Sequence, residues 1–179
     1  MRGLWTAAIL AALAGAMPAA AADLATLGCV RDQMTAPVRA EIASSARALA
    51  DGKSAAASQG LRDGLRLTAD ACAKRHGWSD AAREAAQTHA LVAASLEALR
   101  PLAPARGVDL AVITAALHSL TDAQRAQILN QEQAGTDALL AQLVSRGLVV
   151  TGEAQGSLVG VLAVLTLIEE TQKARFAAS

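Results

Sequence analysis

Aromatic residues are almost missing from this 179-residue chain: it has no tyrosine, one phenylalanine and two tryptophans. Trp5 lies close to the start, so Trp78 and Phe176 alone serve the body of the chain. Stacking platforms for bases, which single-stranded nucleic acid sites use, are therefore excluded. An excess of one charge is missing too, since 16 basic side chains face 16 acidic ones. Such a balance does not recruit nucleic acid or an anionic membrane electrostatically. No sustained alternation of β-branched and polar residues appears, which argues against sheets. Cysteine is limited to Cys29 and Cys72, too few for the paired ligand motifs of structural zinc. There is no CxxCH haem attachment site, Gly-rich phosphate loop, H-E-x-x-H pair, G-x-S-x-G elbow or EF-hand loop.

What is present begins with MRGLWTAAILAALAGAMPAAAADL. Arg2 supplies a positive start, Leu4 to Met17 an uncharged apolar run, and Pro18 a break. Ala20 to Ala22 then offer an A-x-A cleavage site before Asp23, the layout of a secretory signal peptide. A retained anchor is the competing reading, but a spanning helix wants about 20 apolar residues. The expectation is a signal peptide over residues 1–22 and a single helical domain over 23–179, periplasmic or secreted. Losing Arg2 with the leader leaves one acidic side chain in excess.

Alanine and leucine dominate the rest, and alanine has no side-chain entropy to lose in a helix. Leu27, Val30 and Met34 share a face of a first segment over Leu24 to Met34. Pro37 suits the start of a second helix, whose stripe is Val38, Ile42, Ala46 and Leu49 and which ends at Gly52. A third helix, Ser58 to His76, aligns Leu61, Leu65, Thr68 and Cys72. Ser79 caps a fourth over Asp80 to Leu99, with Ala85, Val92, Leu96 and Leu99 inward and His89 on or beside that stripe. Pro101 and Pro104 force a break, and RPLAPARGVD is the one candidate hinge. Asp109 caps a fifth helix, carrying Leu110, Ile113, Leu117 and Leu120. Thr121 and Gln124 have capping-box spacing for a sixth. Thr136 or Asp137 starts a seventh with Leu139, Leu140, Leu143 and Val144, and Thr151 caps the last, to about Arg175. The fold expected is all-α: a small single-domain bundle of about six to eight short helices, with a buried apolar C-terminal helix.

The last helix holds SLVGVLAVLTLI, apolar nearly all round and, at 12 residues, too short for a membrane span. Gly152, Gly156 and Gly160 recur every fourth position, the spacing of a dimer face in lipid. In a water-soluble core the same spacing allows a neighbouring helix to come close, which is the expectation here.

The stretch CAKRHGW, Cys72 to Trp78, carries the chemical alternatives. Cys72 and His76 at i, i+4 share a helix face and would suit a thiol with its base, or part of a metal site with Cys29. In an oxidising compartment two cysteines pair instead, and a Cys29–Cys72 disulfide would disarm that nucleophile. Lys74, Arg75 and His76 then form a cationic last turn against the helix dipole, Gly77 the left-handed stop and Trp78 the corner. Cys29 also closes LATLGC, which resembles the lipobox of bacterial lipoproteins, although Thr26 stands where an aliphatic residue belongs. His118 is expected to face outward. Glu169 with Lys173, and Asp63 with Arg66 and Asp70, read as solvated charged faces. The run NQEQ, Asn130 to Gln133, reads as a polar helix end.

The sequence thus predicts an exported protein that binds a protein partner or a small apolar ligand, with no cofactor, no metal and no nucleic acid. Its mature chain should not span a membrane. The functional candidates are His76, Trp78 and His89. The competing class is a thiol or redox enzyme, or a metal site, built on Cys72 with His76.

Overall fold

The structure is a computed structural model that describes residues 21–179. The expected signal peptide lies outside the described residues except for Ala21 and Ala22. Nine α-helices and a short 3-10 turn make up the described fold, and no strand occurs among these residues. The helices are α1 (Cys29–Gln33), α2 (Ala36–Ala50), α3 (Gln59–His76), α4 (Asp80–Leu99), α5 (Leu102–Ala105), α6 (Leu110–His118), α7 (Asp122–Leu129), α8 (Gln133–Ser145) and α9 (Glu153–Ala177). The fold is an all-α bundle.

Local chemistry sets most helix ends. The side chains of Ser58, Ser79 and Asp109 accept hydrogen bonds from backbone N–H groups of the first turns of α3, α4 and α6. Thr121 and Gln124 form the reciprocal capping box of α7. Gly77, at φ 67°, stops α3 in the left-handed conformation. The first expected segment divides into a 3-10 turn, Leu24–Thr26, and α1, while Leu27, Val30 and Met34 still point inward together. α8 starts before Thr136, with Glu132 at its N-cap. Thr151 does not cap α9. Gly152 holds that position, and the Thr151 N–H and hydroxyl both donate to Gln155 Oε1. Pro101 ends α4, and the loop beyond it forms the one-turn α5.

Two hydrophobic clusters share the interior. One joins the ends of α2 and α4 to α6, α7, α8 and the first half of α9. The other joins α1, α2, α3 and the first half of α4 to Phe176 near the end of α9. α4 and α9 form the most extensive helix pair and run through both clusters. Cys29 and Cys72 are disulfide-bonded, with Cα atoms 6.0 Å apart, and this bond ties α1 to α3 inside the second cluster.

The close approaches fall on other glycines than expected. A Cβ on Gly135 would lie 2.6 Å from the Ile128 backbone nitrogen, so α8 can pass α7 there only without a side chain. A Cβ on Gly64 would sit 2.7 Å from Val38. Gly152 and Gly160 meet nothing within 4 Å, and Gly156 only the Val150 side chain at 3.5 Å. The glycine spacing in α9 therefore does not seat a neighbouring helix.

α9 is buried along one face, through Leu158, Val159, Leu162, Ala163, Leu167, Gln172 and Phe176. Its 25 residues make it the one described helix long and apolar enough, by length and composition, to cross a membrane. The 12-residue apolar stretch judged too short for a span thus sits inside a helix that is not. In the bundle, α9 packs its apolar surface against α4, α2, α6 and α7.

Candidate functional site

The Cys72–His76 pairing does not assemble as chemistry. Cys72 is fully buried and bonded to Cys29, and no free cysteine occurs among the described residues. The Cys29 sulfur also accepts a hydrogen bond from Gln33 Nε2 at 3.0 Å. His76 turns to Trp78 instead, with the rings stacked at a centroid distance of 5.5 Å. Trp78 meets Phe176 edge-on at 5.1 Å, and its indole N–H donates to Thr26 Oγ1 at 3.0 Å. This corner joins the 3-10 turn, the α3–α4 turn and the end of α9. Among the described residues no group of three or more His, Cys, Asp or Glu side chains could hold a metal ion.

His89 stands apart from that corner, 94 % buried on the α4–α9 seam. Its Nε2 lies 3.6 Å from Glu169 Oε1, too far for a hydrogen bond, and both ring nitrogens lack a partner. Glu169 pairs with Lys173 at 3.0 Å, and His118 with Glu170 at 2.9 Å. Burial pushes the His89 pKa below its ordinary value; Glu169 opposes this, and Lys173 and Arg31 reinforce it.

A ligand-binding bundle of alanine-rich helices calls for an internal cavity next to the last helix; the structure instead has an open cleft, on the other side of α9. This cleft of about 570 Å³ has walls formed by Leu49, Ile128, Leu139, Val161, Val164 and Leu165. Leu49, expected on the inner stripe of α2, is 43 % exposed at this cleft. Gly160 lies in its wall with open space where a side chain would project. No charged and no aromatic side chain lines it; the polar groups are Gln131, Thr136 and Ser157.

The surrounding helices hold this opening in place. Arg106, in the loop after α5, donates to the backbone oxygens of Ala50 at 2.8 Å and Ala154 at 3.2 Å. It also pairs with Asp51, so the end of α2 beside Leu49 and the start of α9 are clamped together. That guanidinium, by hydrogen bond first and charge second, holds the Asp51 carboxyl below the usual range. RPLAPARGVD is thus pinned at Arg106, the seventh of its ten residues. On the facing wall, Gln131 closes the α7–α8 corner at φ 60°, the one non-glycine residue with positive φ among those described. Its N–H donates to Ile128 O and the next N–H, of Glu132, to Gln127 O, the arrangement of a left-handed helix stop. Glycine ordinarily takes that position, and a side chain there costs roughly 1 kcal/mol. The sequence reading of NQEQ as a polar helix end located this turn but not its conformation.

A second cleft, of about 450 Å³, is lined by Arg31, Arg39 and Arg100 against Asp32, Glu97 and Glu169. Its charges balance, and it offers no preference for either sign. No protein-family model matches the chain, and neither a curated protein nor a solved structure matches it.

Proposed function

We propose that this is an exported, non-enzymatic helical protein that binds a small apolar ligand in the cleft beside α9. The observation that carries the reading is the cleft itself: about 570 Å³, with aliphatic walls and an open strip at Gly160. Small-molecule sites are typically concavities of ~300–1,000 Å³ with apolar walls and a few polar groups. Export rests on the leader, and it agrees with a disulfide between the two cysteines. The bonded state of Cys72 weighs against the thiol enzyme. A protein partner remains the other occupant for the same apolar walls.

The test uses protein purified from cells expressing the full chain, titrated with the neutral apolar dye Nile red. The expected result is saturable binding that Gly160→Leu abolishes. The new side chain would fill the open strip, and leucine is a good helix former, so thermal stability should hold or rise. An absence of saturable binding, or binding untouched by Gly160→Leu in a folded variant, would refute the reading.

A further inference from the structure

Resting on that reading, we infer that the cleft takes a neutral single-chain amphiphile: an aliphatic tail carrying an uncharged, hydrogen-bonding head such as a glyceryl or amide group. Charge complementarity is the first argument. No lysine, arginine, aspartate or glutamate lines the cleft, so an ionised head drawn against its wall would lose water without meeting a counter-charge. The walls are the second. They are aliphatic, and the side-chain-free strip at Gly160 gives a thin chain access to the backbone of α9.

The polar groups supply the third argument. Gln131, Thr136 and Ser157 all line the cleft, and among the described residues none of their side chains makes a hydrogen bond. An amide and two hydroxyls can each both donate and accept, which suits hydroxyls or amides better than an ion. Gln131 is the most telling of the three. Its backbone adopts φ 60°, where glycine would sit without strain, yet the position carries a glutamine, an exposed residue at the lining of the cleft.

The proposal is tested with three probes of equal chain length: 1-monomyristoylglycerol, myristate and tetradecyltrimethylammonium, each below its micelle concentration. Affinity is read by displacement of Nile red from the purified protein. The monoglyceride should bind about tenfold tighter than either ion, and shorter homologues should lose about fourfold per methylene removed. Gln131→Gly should raise the melting temperature while weakening the monoglyceride severalfold more than it weakens Nile red. A purely structural role for Gln131 would not produce that split. Equal or tighter binding of myristate or the ammonium probe, with Gly160→Leu still blocking the dye, would overturn the neutral head and leave the cleft as the site. Monoglyceride affinity unchanged in Gln131→Gly would overturn the role of that side chain. If none of the three probes binds and Gly160→Leu leaves the dye unaffected, the apolar-ligand reading itself fails.

Discussion

Both ring nitrogens of His89 sit inside the α4–α9 seam without a hydrogen-bond partner, and a buried polar group left unpaired costs about 1–3 kcal/mol. The neutral imidazole is the form that burial favours, so the folded pKa lies below the ordinary 6.5. The sign of the pH effect follows. As pH falls below 6.5 the unfolded chain takes up this proton before the folded one, so stability declines until the folded value is passed. The charged groups facing the ring are Glu169, Lys173 and Arg31. His89→Leu should therefore reduce the fall in melting temperature between pH ~7.5 and ~5.5, and raise stability at the lower pH. Thermal denaturation of both proteins at the two pH values checks this; an identical acid-side fall would show that His89 does not set it. The sequence placed His89 on or beside the stripe of α4. It did not show that Glu169, paired with Lys173, stops short of it, because that distance belongs to two helices rather than one.

At the scale of elements, the helices divide into those whose ends are locally determined and those held by a neighbour. α1 has five residues, far fewer than the roughly 12 an isolated helix needs even to be marginal. Its stability comes from packing Val30 into the second cluster and from the bond to α3. The two cysteines are 43 positions apart, and loop-closure entropy assigns a cross-link of that span about 4 kcal/mol. Cys29→Ala/Cys72→Ala, or reduction of the intact protein, should lower the melting temperature by roughly 10 °C. Calorimetry with and without reductant measures it. An unchanged transition would mean that the staple adds nothing to folding in solution. α9 shows the opposite dependence: its apolar circumference exceeds what its neighbours cover, and the uncovered part is the wall of the cleft.

For the whole molecule, α4 and α9 are the common members of two hydrophobic clusters, which is the basis for proposing that residues 23–179 fold as one unit. Export is the other proposal at this scale. The A-x-A site before Asp23 predicts a mature protein that begins at Asp23 and is released with the periplasmic contents or into the medium. Intact-mass measurement on the fractionated native protein reads both points. A leader retained at full mass in the cytosol would remove the oxidising compartment on which the cysteine pairing was argued. Recovery of the cleaved protein only with membranes would instead favour α9 or Cys29 as an anchor.

Helix identity, most caps and the Cys29–Cys72 pairing could be read from residues alone. Their causes are short-range or, for the cysteines, argued from the proposed export: a serine caps the turn that follows it, glycine allows the left-handed stop at Gly77, and two thiols in an oxidising space would find each other. The cleft was settled by assembly. Leu49, Ile128, Leu139 and Val161 come from four helices, and no periodicity within any one of them says that the neighbours leave a gap. A stripe records which side chains avoid water, whereas the packing of one helix on another decides which of them succeed. Leu49, Leu140 and Val144, with the open side of α9, are among the places where that packing stops short.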